Sequence, residues 1–226
     1  DAGCVFTGKG TAYGGSLMRP EATGYGTVYF AQEMLHRAHE GFEGRRVSIS
    51  GSGNVAQYAA EKALELGAKV VTFSDSGGTL VHEAGFSPEL LADLMHWKNE
   101  QRGRLEDFCA RHTLAFEAGK RPWHVPVDIA LPCATQNELD GADAKTLIAN
   151  GVRCVAEGAN MPSTLEATDH FIAARVLYAP GKASNAGGVA TSGLEMSQNA
   201  TRLSWRHAEV DERLHSIMKD IHGNCV

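Results

Sequence analysis

The sequence has no stretch near the roughly 18 uninterrupted apolar residues that a membrane helix needs, and no signal peptide. Its five cysteines include no CxxC pair, and the odd count suits a reducing cytoplasm better than a disulfide framework. There is no excess of positive charge: 21 basic against 27 acidic residues leave a formal net charge of −6. Nucleic-acid backbones and anionic membranes both need basic patches, so neither is expected as a partner. Among ten histidines no metal-ligand spacing is completed by Cys or carboxylate; His36 and His39 share a helix face at i, i+3 and read as surface residues. A G-x-S-x-G elbow, a P-loop and a metal motif are missing too. What remains is an acidic globular domain of 226 residues, expected in the cytoplasm and without a metal.

Short β-branched runs alternate with amphipathic stretches. Pro20 sits where a first helical turn puts it, and a helix is expected through Glu40. Residues 46–50 read as a strand, 54–66 as a helix ended by Gly67, and 69–74 as the next strand. Ser87 is an N-cap with Pro88 in the first turn of another helix. Strands are expected at 127–132, 152–156 and 176–179, with a weaker one near 114–116. Helical segments separate most of these runs, the signature of right-handed β-α-β crossovers. From about Gly187 the chain becomes mostly helical. The expected fold is therefore α/β, a doubly wound, mostly parallel, Rossmann-type sheet with helices on both faces and a helical C-terminal portion. It forms a single dinucleotide-binding domain over residues 1–226.

The first strand runs into Gly51-Ser52-Gly53-Asn54-Val55-Ala56, which fits G-x-G-x-x-G/A. The first glycine permits a tight turn, the second lets backbone approach a pyrophosphate, and the small third residue lets helix and strand pack closely. The following helix offers free N–H groups and the positive end of its dipole. Asp75 ends the second strand, 22 residues after Gly53, where an acid takes the two hydroxyls of an adenosine ribose and favours NAD. Against that, Ser76, Gly77 and Gly78 leave space and donors for a phosphate. Lys98, Arg102 and Arg104, expected on the next helix, can supply positive charge. The local chemistry leaves NAD and NADP both open.

Four further tracts are rich in polar residues, and three of them in glycine. Arg19-Pro20-Glu21-Ala22-Thr23-Gly24-Tyr25-Gly26 lies at a helix start, where it can meet an anion or a carboxamide or serve as a cap. Pro132 to Glu138 and Glu157 to Pro162 each follow a strand's carboxyl end, where doubly wound sheets bind ligands. An asparagine there can both donate to and accept from a nicotinamide carboxamide. Gly181 to Glu195 is the densest run, read as close backbone approach to a ligand or another domain, or as a hinge. Cys133 has no base arranged to activate it and reads as a packing or lining residue. No lysine or aspartate stands out as a general acid or base, so no catalytic residue is assigned.

Together these motifs carry a resemblance. The segments Thr7-Gly8-Lys9-Gly10, Gly15 to Gly26, Ser50 to Tyr58, Ala130 to Leu139, Ala156 to Pro162 and Pro180 to Glu195 span nearly the whole chain. The chain closely resembles the cofactor domain of hexameric bacterial NADP-dependent glutamate dehydrogenase. The resemblance implies reversible oxidative deamination of L-glutamate to 2-oxoglutarate and ammonia, with NADP as cofactor and NAD as the alternative. It puts Thr23 and Asn54 near the nicotinamide, and Gly51, Ser52, Gly53 and Val55 at the pyrophosphate. Asp75 and Ser76 approach the adenosine ribose, and Lys98 the 2′-phosphate, with a second basic position taken by Gln101. Ala134, Thr135, Asn160 and Asn185 line the cleft, and Ser192 helps bind the substrate's side-chain carboxylate. The family's catalytic lysine and aspartate sit in a preceding substrate domain, and a final helix returns to it. Neither is present here, and Asp1 is not an initiator methionine, so the chain is expected to be a fragment that binds cofactor without turnover, as a monomer or weak dimer. Another amino-acid dehydrogenase, for leucine, phenylalanine or valine, shares the same loop logic. A non-catalytic nucleotide-binding module is the reading from a different class.

Overall fold

The computed structural model describes residues 4–226. Seven strands form one sheet in the order β4-β3-β2-β1-β5-β6-β7, with β1 at Arg46–Ile49, β2 at Lys69–Asp75, β3 at Gly78–Val81, β4 at Ala115–Ala118, β5 at Ile129–Leu131, β6 at Cys154–Ala156 and β7 at Leu177–Ala179. The five strands β2, β1, β5, β6 and β7 pair in parallel. The mostly parallel α/β sheet expected from the sequence is what forms. Strands β3 and β4 pair antiparallel and extend the edge beyond β2.

Strand β3 is absent from the sequence reading. Asp75 pairs with Gly78, so Ser76 and Gly77 are a two-residue hairpin turn rather than the start of a crossover. The weak strand expected near 114–116 falls at β4 and closes this edge.

The first long helix, α1 (Ala22–Arg37), starts two residues after Pro20 and stops before His39, whose φ of +58° breaks the helical path short of Glu40. Helix α2 spans Asn54–Glu65 and α3 spans Pro88–Asn99, with Ser87 Oγ accepting from Leu90 N–H at 3.2 Å as its cap. Then come α4 (Leu105–His112), α5 (Gly141–Ala149), α6 (Leu165–Ala173), the short α7 (Gly181–Ser184), α8 (Gly187–Thr201) and α9 (His207–Cys225). Lys98 lies on α3, but Arg102 and Arg104 do not lie on that helix. Gly103 packs so closely on Trp97 that a Cβ would lie 2.1 Å from the indole, and Trp97 Nε1 donates to Arg104 O at 2.9 Å. The chain after α3 is thereby folded back, and Arg104 becomes the residue before α4.

Two apolar cores cover the two faces. One joins α1, α2, α3, α4 and α9 through residues such as Phe30, Ile49, Phe73, Leu94, Phe108 and Met218. The other seats Trp123, Val155, Leu147 and Phe171 beneath α5 and α6. At about 25 cal/mol per Å² of apolar surface, burial on both faces holds the strand ends in place for a site. Among the described residues no helix is long and apolar enough to cross a membrane.

Candidate functional site at the strand carboxyl ends

The strand order reverses between β1 and β5, and the residues leaving the carboxyl ends of these two strands face each other across a groove. Gly51 takes φ +82°, a left-handed conformation that favours glycine, and a Cβ there would lie 3.0 Å from Cys133 O. Its N–H donates to Ser74 Oγ at 2.8 Å, so β1 turns sharply against the end of β2. Gly53 is different: its φ is −87°, and nothing lies within 4 Å of where its Cβ would be. Among the described residues no side chain caps α2, so its first N–H groups are left for an anion. Ala56 is fully buried against the sheet, as the third position of the motif requires.

The groove has two ends that share Cys133, Ala134 and Thr135. A cavity of about 660 Å³ is lined by Thr23, Val55, Ala134, Thr135, Asn160 and Asn185, which brings together six of the residues picked from sequence. Asn185 Nδ2 donates to Asn160 Oδ1 at 2.9 Å and to Ala159 O at 3.2 Å, so the two amides are oriented before any ligand arrives. Asn54 does not line this cavity; its amide donates to Pro20 O and ties the start of α2 to the turn before α1. A separate cavity of about 530 Å³ between α1, β7 and α9 shares no residue with the groove.

The other end, about 380 Å³, is lined by Gly51, Ser52, Gly53, Asp75 and Ser76, with Lys120 and Arg121 also on its wall. Asp75 does not present a free carboxylate. One oxygen accepts the Gly77 N–H at 2.8 Å and the other the Leu105 N–H at 3.1 Å, which caps α4. Arg104 Nη2 donates to Ser76 Oγ at 3.0 Å, and its Nε lies 4.0 Å from Asp75. Lys98 is not on this cavity's wall; its ammonium is turned to the backbone, donating to Gly103 O at 2.8 Å. Of the cations picked from sequence, Arg104 is the one that touches the Ser76 turn.

Two buried acids hold the groove's loops. Glu138 Oε1 accepts from Ser50 Oγ at 2.8 Å, Ala134 N at 3.0 Å and Thr135 N at 3.3 Å, fixing the loop after β5 to the end of β1. Glu157, 2% exposed, accepts from Tyr178 Oη at 2.8 Å, Gly181 N at 2.7 Å and Ser163 N at 3.3 Å, which joins the loops after β6 and β7. Sequence reasoning quoted both residues without giving either a role. Burial pushes the Cys133 thiol above its ordinary range, with the nearby Glu138 adding to the effect, so Cys133 packs the groove and is no thiolate.

Burial likewise raises the Glu138 carboxyl, with the Ser50, Ala134 and Thr135 hydrogen bonds and Arg121 opposing it. Well below the ordinary glutamate value of about 4.3, folded and unfolded states both hold the proton. As pH rises through the raised folded value, the unfolded state ionises more readily, so stability is lost with rising pH. Glu138→Gln removes this titration. The melting temperature of the variant relative to the unaltered chain should rise as pH is raised from about 4 to neutrality. Any constant cost of the amide cancels in that difference, and a difference flat across the range would rule the assignment out.

Ser192 lies one turn into α8, where its hydroxyl accepts a hydrogen bond from Arg19 and donates to Gly188 O at 3.2 Å. Arg19 Nη1 also donates to Gly188 O at 3.1 Å, so a guanidinium sits directly beside Ser192. Lys9 Nζ pairs with the fully buried Glu195 at 2.7 Å and ties the N-terminal segment to α8.

A family model described as Glutamate/Leucine/Phenylalanine/Valine dehydrogenase matches residues 14–226. The chain belongs to this dehydrogenase family. Within it, the NADP-specific glutamate dehydrogenase of Salmonella typhimurium is 65% identical over 226 residues, all of this chain and 51% of that protein. The NADP-specific glutamate dehydrogenase of Escherichia coli is 65% identical over 223 residues, 99% of this chain and 50% of that protein. The solved glutamate dehydrogenase of Plasmodium falciparum superposes with a TM-score of 0.93 at 47% identity, over 95% of this chain and 46% of that one. A hetero-hexameric glutamate dehydrogenase from Thermus thermophilus superposes at 0.80 with 25% identity, over 96% and 49%. The chain thus spans about half the length of the curated relatives it matches.

Proposed function

We propose that residues 1–226 are the single dinucleotide-binding domain of an NADP-dependent glutamate dehydrogenase. The overall reaction is L-glutamate, water and NADP+ to 2-oxoglutarate, ammonium, NADPH and a proton, in either direction. The bound nicotinamide supplies the hydride acceptor or donor. This chain's residues bind and orient it: Gly51, Ser52, Gly53 and Val55 with the uncapped start of α2 receive the pyrophosphate. Thr23, Ala134, Thr135, Asn160 and Asn185 surround the nicotinamide end, and Asn54 fixes the start of α2 beside it through Pro20. Ser192, with Arg19 beside it, receives the side-chain carboxylate of glutamate.

The observation that carries the choice of NADP over NAD is the state of Asp75. Its two oxygens already accept backbone N–H groups, while Arg104 offers its guanidinium at Ser76, so the ribose end favours an added phosphate over two bare hydroxyls. Groups for proton transfer at the substrate carbon come from outside residues 1–226, and the chain binds cofactor without turnover. Assembly of the whole enzyme as a hexamer, and a cytoplasmic location, belong to the same proposal. Calorimetric titration of the chain with NADPH and with NADH tests it. The expected result is at least about ten-fold tighter binding of NADPH, since one phosphate contact to Arg is worth about 1.5–3 kcal/mol. Equal affinities, or a preference for NADH, would overturn the cofactor assignment, and glutamate-dependent NADPH formation by this chain would overturn the absence of turnover.

A further inference from the structure

The Ser76–Gly77 turn has a cation on each side, and the sequence motifs point only to those on one side. Strand β4 pairs with β3 through Gly78 and Ala118, and Gly119 N–H donates to Gly77 O at 2.8 Å. Gly119, at φ +69°, then turns the chain, and Thr79 Oγ1 donates to Lys120 O at 2.7 Å. The backbone of Lys120 is therefore fixed against the turn, opposite Arg104, which reaches Ser76 from the start of α4. Lys120 shares the walls of the 380 Å³ cavity with Asp75 and Ser76.

The side chain of Lys120 is loosely committed. Its ammonium lies 3.6 Å from the half-buried Glu117 in an i, i+3 pair, a contact worth little for so exposed a lysine, and His124 also draws on Glu117, at 2.6 Å. Arg121, the next residue, is held by two acids, Asp143 at 3.3 Å and Asp140 at 3.7 Å. Lys120 is thus free to swing to a stronger anion. Of the two acids on the cavity wall, Asp75 has both oxygens occupied by N–H donors and Glu138 is buried and bonded to Ser50, Ala134 and Thr135, so both compete weakly for it.

Resting on the NADP reading above, we infer that Lys120 is a cofactor-specificity residue. Its ammonium, reaching across the Ser76–Gly77 turn from Arg104, contacts the 2′-phosphate that distinguishes NADP from NAD. Because the phosphate carries close to two charges, a second cation from an independent element raises affinity for it and leaves a dihydroxy ribose unaffected.

The test uses half-cofactors, which carry the adenosine end alone. Adenosine 2′,5′-bisphosphate and adenosine 5′-monophosphate are titrated calorimetrically into the 226-residue chain and into its Lys120→Gln, Lys120→Glu and Lys120→Arg variants. The side chain is 61% exposed, so the fold is retained in each. Lys120→Gln should weaken the bisphosphate about three- to ten-fold, Lys120→Glu more, and Lys120→Arg least. The monophosphate should change by less than about two-fold, and the salt dependence of bisphosphate binding should flatten in the Gln variant. Equal losses for both ligands, or no loss while the unaltered chain still prefers the bisphosphate, would overturn the role of Lys120 alone. No preference in the unaltered chain would overturn the NADP reading and the role of Lys120 together.

Discussion

Gly53→Val should leave the fold intact and lower NADPH affinity by about a hundred-fold or more, ~2.7 kcal/mol. The backbone at Gly53 is extended, with φ −87° and ψ −168°, a conformation that β-branched residues adopt without strain. No atom lies within 4 Å of the added Cβ, so the new side chain meets solvent. Gly53 is the N-cap of α2, where valine is disfavoured, so the melting temperature should fall, by no more than about 4 °C. That open space is where the pyrophosphate must approach the start of α2, and a valine side chain occupies it. Thermal denaturation and calorimetric titration on the same preparation check both halves. Affinity retained within about three-fold would remove the pyrophosphate from this loop.

Gly24→Ala should do the reverse, with a large cost to the fold itself. Helix α1 crosses α2 at Gly24, where a Cβ would lie 2.5 Å from Ala59 N and 2.7 Å from Val55 O. Both obstacles are backbone atoms of a helix whose facing residues Ala56, Ala59 and Ala60 are fully buried, so no side chain can rotate away. Overpacking of this kind costs about 1–3 kcal/mol and occasionally more, which outweighs the ~1 kcal/mol that alanine gains over glycine within a helix. A loss of about 2–3 kcal/mol corresponds to a fall of about 4–12 °C in melting temperature. Gly193→Ala on α8, with nothing within 4 Å, is the matched control and should be neutral or slightly stabilising. A Gly24→Ala chain as stable as the control would mean that the two helices move apart freely.

These two glycines also mark how far the sequence could be read. Gly51 to Ala56 was legible because the motif sets a local turn whose geometry depends on six neighbouring residues. The parallel strands were legible because β-branched runs stood between helical stretches. Strand β3 was not, because its four residues pair through a two-residue turn, and Ser76 and Gly77 read equally well as a ligand loop. Arg104 was noticed as a charge but placed on a helix; only the packing of Gly103 on Trp97 shows why it swings to Ser76. Glu138 and Glu157 lay inside quoted motifs, yet each reaches a partner distant along the chain, Ser50 Oγ for Glu138 and Gly181 N for Glu157, a convergence that residue spacing does not reveal. Lys120 carries no motif at all and is placed by the register of β4 on β3.

The strand order has a consequence for chain entropy. Val47 pairs with Val70 on one side and with Ile129 on the other, while Ile129 pairs with Cys154. Each half of the sheet is thus assembled from partners close along the chain, but the join between halves closes a loop more than three times longer. That join carries a loop-closure cost about 1 kcal/mol greater than either neighbour. It is also the line along which the groove runs, with Gly51 to Gly53 on one bank and Ala134 and Thr135 on the other. A ligand seated there bridges the two halves, and its binding free energy adds to the stability of the seam that chain connectivity holds least well.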